Sequence, residues 1–295
     1  MTLSAQQPDD SSSSGDECEP NWDLLKETLG PEALIALQEH MEDPSTLPLS
    51  LSSTTTDNCN LATASDAIPK SNREYGKKEY WDNRFAQEKD FEWLVSYNDI
   101  KAQLNSFLTP ESNILLVGCG NSSFSADLYD AGYSHILSLD YSPVVIQAMR
   151  KRHELKRPGL QWIVMDMTHM NDLKDTSFDV VIDKAAMDAL MTAEGDVWNP
   201  NQSVIDDSRR MCHHISRILK VGGQHLHISF AQPHFRKKYL LGLHPKTTGE
   251  ECVNVENKDY SDEFCWSYRV ETIAGDDNDG CFHHFLYILT KEEPK

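Results

Sequence analysis

Five apolar runs of strand length, at 114–117, 135–140, 160–166, 178–183 and 224–230, alternate with stretches whose apolar residues return at helical spacing. A β-α alternation of this kind folds as a parallel sheet covered by helices, because each parallel return needs a crossover of a dozen residues or more. The punctuation agrees. Ser142-Pro143 offers a helix cap followed by proline at the first helical position, where its missing N–H costs nothing. That helix runs into Arg150, Lys151 and Arg152, favourable beside the negative end of the dipole, before Pro158-Gly159 stops it. Val204, Ser208, Met211, Ile215 and Ile218-Leu219 keep helical spacing, and Gly222-Gly223 is expected to end that helix. Two last strand-like runs, 264–273 and 281–290, flank the turn-rich AGDDNDG, a link too short for anything but antiparallel pairing. The expected fold is α/β: a mostly parallel seven-stranded sheet closed by an antiparallel C-terminal hairpin, with helices on both faces.

The N-terminal quarter reads differently. Residues 1–70 hold thirteen acids against Lys26 and Lys70, a balance of −11, which leaves −9 of the chain's −20 for the rest. SSSSG at 11–15 and the Ser/Thr/Pro-rich stretch 44–69 bury too little apolar surface to offset the entropy of ordering. The expectation is an acidic, largely disordered tail over 1–70 and a catalytic-sized domain over 71–295. Within the tail, Trp22, Leu25, Leu29, Leu34, Leu37 and Met41 could share one helical stripe, expected to form only transiently. The acidic balance argues against nucleic acid or an anionic membrane as a partner, both of which reward clustered Lys and Arg. No apolar run reaches the roughly 18 residues that span a bilayer. The first ten residues lack both the basic start of a secretory signal and the Arg-rich character of a transit peptide. Seven cysteines without a C-x-x-C pair fit reduced thiols. These features together point to a cytoplasmic protein.

The chemistry gathers at the strand ends. The first strand runs into Gly118-Cys119-Gly120-Asn121-Ser122-Ser123, a turn through which backbone can approach a polar ligand at the following helix N-terminus. Asp140, twenty residues past Gly120 at the end of the second strand, can grip ribose hydroxyls. A dinucleotide dehydrogenase would share both features. Ser123, however, replaces the third glycine of G-x-G-x-x-G, and Asp166 ends the third strand where it can accept from an adenine amino group beside Met167. Acids ending strands two and three, with the C-terminal hairpin, favour S-adenosylmethionine over a nicotinamide cofactor.

These segments resemble the seven-β-strand (class I) methyltransferases, with their Rossmann-like fold, and in particular the lysine methyltransferases of translation elongation factor 1-alpha. The resemblance rests on Y-W-D-N-R-F at 80–85, L-V-G-C-G-N-S at 116–122, L-D-Y-S at 139–142, M-D-M at 165–167, and F-D-V-V-I-D-K at 178–184 continuing to M-D-A-L at 187–190. It extends through P-H-F-R at 233–236 to F-H-H-F-L-Y at 282–287. The resemblance implies that S-adenosylmethionine lies against Trp81, Phe85, Trp93, Gly118, Gly120, Asp140, Tyr141, Asp166, Met167 and Lys184. Physical chemistry agrees with the aromatic members, since ring faces attract a sulfonium cation, and Trp81 and Phe85 lie four apart on one helical face. One departure stands on the acceptor side: Lys184-Ala185-Ala186-Met187 replaces the branch's more usual K-G-T-[LW].

The expected reaction is transfer of a methyl group to a lysine amine of a protein, elongation factor 1-alpha, with a different protein or a small molecule as the alternative acceptor. Asp183 and Asp188, after the fourth strand, are the acids placed to orient the amine, and His234 and Arg236 are candidates for touching the acceptor protein. No metal is expected, because His225, His227, His283 and His284 have no Cys or carboxylate at ligand spacing. Cys119 lacks an evident base and is read as a small residue chosen for fit.

Overall fold

The structure, a computed structural model, describes residues 22–31, 34, 69, 71–243, 258–273 and 283–294. One mixed sheet organises them. Its strands are β1 (Ile114–Val117), β2 (Ile136–Asp140), β3 (Leu160–Val164), β4 (Phe178–Lys184), β5 (Leu219–Ser229), β6 (Tyr260–Ser261), β7 (Trp266–Ile273) and β8 (His284–Lys291), in spatial order β3-β2-β1-β4-β5-β8-β7-β6. Pairing is parallel from β3 through β5; β8 then inserts antiparallel between β5 and β7. The sheet therefore has eight strands rather than the expected seven, the extra one being the two-residue edge strand β6. After β1 the chain builds outward through β2 and β3, then crosses back to place β4 on the other side of β1. Such a switch point opens a crevice at the carboxyl ends of the strands.

The period of two along each strand divides the core into two layers. Leu115 and Val117 of β1 pack with Met211 and Ile215 of the helix Gln202–Ile218, while Ile114 and Leu116 pack with Ile100, Leu128 and Met149 on the opposite face. In chain order the α-helices are α1 (Trp22–Thr28), α2 (Lys78–Gln87), α3 (Tyr97–Leu104), α4 (Phe124–Asp130), α5 (Pro143–His153), α6 (Ala186–Met191), α7 (Gln202–Ile218) and α8 (Pro233–Leu240). Ser142 caps α5 with Pro143 at its first turn, as the sequence leads one to expect. No helix among the described residues is long and apolar enough to cross a membrane.

Two expectations need correction. Gly222-Gly223 does not end α7: the helix stops at Ile218 and the chain is extended from Leu219. Lys220, paired with both oxygens of Asp179 at 2.8 and 2.9 Å, helps hold that extended start, and the glycines sit inside β5 where its register against β4 shifts. The second correction concerns the tail. Leu24, Leu25 and Leu29 are fully buried, and Leu25 and Leu29 pack in the same cluster as Leu115, Met170 and Phe178. The backbone is tied down as well, with Gly30 N–H donating to Asp172 O at 2.5 Å and Lys174 N–H to Thr28 O at 2.8 Å. A transient helix in an unpacked tail therefore does not describe α1. Apolar residues that look isolated in an acidic stretch are core residues of the domain. Leu37, Met41, the segments 11–15 and 44–68, the AGDDNDG link with Cys281 and Phe282, and the Trp22 side chain all lie outside what is described.

Candidate active site

β1 enters its turn at Gly118 and leaves it at Gly120, both left-handed, with φ of +60° and +53°. A Cβ on Gly118 would lie 2.4 Å from the Cβ of Ala186, so glycine is what lets the start of α6 close against the β1 turn. Above this turn lies a cleft of about 630 Å³, at the crevice predicted by the strand order. Trp81, Phe85, Trp93, Gly118, Gly120, Asp140, Tyr141, Asp166, Met167, Lys184 and Asp188 all line it. Asp183 does not.

Asp140 closes the floor. Its carboxylate accepts from the backbone N–H of Gly120 and of Ser142, each at 3.0 Å, one on each oxygen. A carboxylate offers about four lone-pair sites, so two acceptor positions are left for hydroxyl donors. Burial pushes this carboxyl up to about 6, against the two backbone bonds that favour the ionised form. Asp166 sits two residues past β3 and is half exposed; one oxygen accepts from the N–H and hydroxyl of Thr168 at 2.8 and 2.7 Å. Burial likewise raises the Tyr141 phenol and the Cys119 thiol, so the Cys119 thiolate is disfavoured.

The wall is aromatic. Trp81 and Phe85 stack on α2 with ring centroids 5.5 Å apart, and Trp93 stands edge-on to Trp81 at 6.0 Å. The Trp81 indole is fixed by donating to Tyr75 O at 2.6 Å, and the Tyr75 ring touches both tryptophans. Ser142 ties this wall to the floor by donating to Asp82 of α2 at 2.5 Å.

Lys184 faces the cleft, yet its ammonium is committed elsewhere. It donates to Glu92 and, at 2.9 Å, to the carbonyl of Trp93. Burial lowers its pKa and Glu92 opposes that shift. Glu92 also accepts from Ser122 in the β1–α4 turn at 2.8 and 2.9 Å. Lys184 is thus a strap that holds the Trp93 segment over the turn, and Glu92 and Tyr75 are members of the site that sequence reasoning missed. Their signal was present as Glu92 beside Trp93 and Tyr75 beside the Tyr80-Trp81 pair, but it lay outside the strand ends.

The two candidate acids separate. Asp183 is fully buried, with one oxygen accepting from the N–H groups of Ala186 and Met187 and the other paired with His227 Nδ1 at 2.8 Å. It cannot reach an acceptor amine; it caps α6 and holds the start of that helix. Asp188 has one oxygen accepting from Ser229 at 2.6 Å and Arg236 at 2.7 Å, while Oδ2 is buried without a hydrogen-bond partner. Arg236, expected to touch the acceptor protein, is instead buried in this ion pair, because Asp188 draws it inward from α8. His234 is exposed and rests on Phe235. His225 and His227 are buried with ring centroids 6.2 Å apart, and no group of three or more potential ligands gathers among the described residues.

A strand-switch crevice with a buried acid at the end of β2, an aromatic wall and an antiparallel hairpin beyond β5 defines a class, and the chain belongs to it: residues 108–269 match the family model described as a methyltransferase domain. Among relatives, the chain is 36% identical over 227 residues to EEF1A lysine methyltransferase 4 of Mus musculus, covering 76% of this chain and 79% of that protein. It is 40% identical over 173 residues to the eEF1A lysine and N-terminal methyltransferases of Bos taurus and Homo sapiens, 58% of this chain but only 24% of those longer proteins. A SAM-dependent methyltransferase from Methanosarcina mazei aligns in structure at 20% identity over 64% of this chain and 97% of that one, with a TM-score of 0.43.

Proposed function

We propose that the protein is an S-adenosylmethionine-dependent protein-lysine N-methyltransferase that acts in the cytoplasm on translation elongation factor 1-alpha. The residues in the cleft fit the cofactor. Asp140 has acceptor positions left for a ribose diol, Asp166 and Met167 line the part of the cleft suited to adenine, and the Tyr75, Trp81 and Trp93 faces suit a sulfonium. Bound there, S-adenosylmethionine would supply an electrophilic methyl group.

The chain's own part is to present a neutral amine. A free lysine has a pKa of ~10.4, so at pH ~7.4 shedding its proton costs about 4 kcal/mol. A lysine drawn into an apolar, aromatic cleft loses hydration, which favours the neutral form. Asp188 Oδ2 is the acceptor available to orient that amine. Its pairing with Arg236 matters, because a carboxylate already compensated by a guanidinium can accept a hydrogen bond without strongly holding the proton on nitrogen. The proton lost leaves through the open mouth of the cleft, and orientation supplies much of the remaining acceleration.

Support for the acceptor comes above all from the similarity to EEF1A lysine methyltransferase 4, which runs across 79% of that protein. Incubating the purified chain with recombinant elongation factor 1-alpha and labelled cofactor should place methyl groups on lysine, read by peptide mass spectrometry. An unlabelled factor, beside strong labelling of other proteins or metabolites, would reject this acceptor while keeping methyl transfer.

A further inference from the structure

The rim on the acceptor side carries an aromatic tooth that the fold builds and leaves uncovered. After α6 the chain turns through Gly195 into a two-stranded ribbon, Gly195–Asp196 against Asn199–Pro200, and returns directly to α7. Its base is fixed. Asn201 donates from its backbone to Glu194 O at 2.8 Å and from its side chain to Ala193 O at 2.6 Å. Lys238 of α8 donates to Val197 O at 2.6 Å, and the Tyr239 hydroxyl donates to Glu194 at 2.5 Å. At the tip of this anchored ribbon, Trp198 is 85% exposed. Thr192 and Ala193 before it and Ser203 and Val204 after it line the cleft, so the ribbon rises from the cleft wall itself. Phe230, at the end of β5, also lines the cleft and is 60% exposed. Tryptophan is among the residues most enriched at binding hot spots.

The charge around the tooth says what it would meet. Of the five acids between Ala185 and Ser208, Asp188 is paired with Arg236, Glu194 with Lys238 and Asp207 with Arg210, while Asp196 and Asp206 have no ion-pair partner among the described residues. Asp207 lines the cleft and Asp196 is exposed beside Trp198. A patch of this kind is complementary to a basic segment in which apolar stems alternate with cations.

We propose that the Trp198 ribbon, with Phe230, is the docking lip for the acceptor protein: Trp198 packs against the apolar surface flanking the target lysine while Asp196 and Asp206 face the neighbouring basic side chains. The inference rests on the reading that the acceptor is a protein lysine, and it names where selection of that protein is made. The lip works by binding, so its loss should appear in KM rather than in cofactor affinity.

The test uses the full chain with Trp198→Ala and, separately, Asp196→Lys, each compared with wild type for calorimetric S-adenosylmethionine affinity and for steady-state methylation of intact elongation factor 1-alpha. The expected result is a KM for the protein raised about tenfold or more in Trp198→Ala, the scale of a hot-spot tryptophan. Asp196→Lys should raise KM several-fold, an effect that shrinks as salt is added. Cofactor affinity should stay within twofold in both. An unchanged KM in both variants, with wild type active, would overturn the lip alone, as would a loss of cofactor affinity matching the loss of activity. Failure of the wild type to label the factor would remove the reading beneath it and the lip with it.

Discussion

Asp140 makes cofactor affinity depend on pH in a way that can be worked out beforehand. Its carboxyl is almost completely buried and titrates at about 6 rather than near the ordinary 3.8. The sign follows from which form the ligand needs. In the proposed site ribose hydroxyls would donate to the carboxylate, so protonation should remove an acceptor and weaken binding. For a site whose ligand requires the ionised form, the apparent dissociation constant scales as one plus the ratio of protonated to ionised carboxyl. With a pKa of about 6 the constant is nearly unaffected at pH 7.5, doubles at about pH 6 and rises about elevenfold by pH 5. The opposite sign applies to the empty fold. A raised pKa stabilises the native state below about pH 4, and that contribution, about 3 kcal/mol, is lost as pH rises through about 6. Calorimetric titration of S-adenosylmethionine from pH 7.5 to 5 reads the first effect directly. His169 also borders the cleft, so Asp140→Asn is the control: it should bind about 10- to 100-fold more weakly at pH 7.5, the scale of a lost bond to a charged group, and lose the slope above pH 5. A flat wild-type profile, or an identical slope in Asp140→Asn, would refute the argument.

Two further outcomes follow from packing and backbone geometry. Leu25→Ala should cost about 2–5 kcal/mol in chemical denaturation, because Leu25 is fully buried with Leu29 in the main core cluster; a loss under about 0.5 kcal/mol would mean α1 is not part of the core. Ala185→Gly should stabilise the fold by about 0.5–1 kcal/mol, since Ala185 is held at φ +67°, where a Cβ costs roughly 1–2 kcal/mol and added chain freedom returns only part of that; a lower melting temperature would contradict it.

What could be read from the sequence divides along physical lines. Strands on the switch side are short and mostly apolar, so they stand out without any tertiary information, as do the acids at or just past their ends, Asp140 and Asp166. The aromatic pair Trp81 and Phe85 was legible for the same reason, because i and i+4 share a helical face. What stayed hidden depends on long-range partners. Nothing local says that Lys184 reaches Glu92, ninety-two residues earlier in the chain, or that Arg236 turns inward to Asp188. Asp183 and Asp188 look equivalent in sequence; only the N–H bonds from Ala186 and Met187 show that the first is a helix cap, and only the cleft lining shows the second facing it. The acidic surroundings of α1 concealed three core leucines, since composition averages over a segment while burial is decided residue by residue.

The stretch Lys184 to Asp188 gathers these threads into one mechanical unit. Lys184 fixes the Glu92–Trp93 segment on the cofactor side, and Ala185 turns the chain through a left-handed conformation. Ala186 then fills the space that the missing side chain of Gly118 leaves open, so α6 starts hard against the glycine turn. Asp183 caps that start, and two residues past Ala186, Asp188 lines the cleft with its Oδ2 buried and without a hydrogen-bond partner. In the proposed mechanism, the residue on the donor side and the one that would orient the amine are therefore joined by less than two turns of chain. A displacement at Gly118 would be passed to the start of α6, because Ala186 packs directly against it. Methyl transfer depends on the separation and line of donor and acceptor to within about an ångström. A packed corner shared by both proposed binding sites is a direct way for this sequence to hold that line.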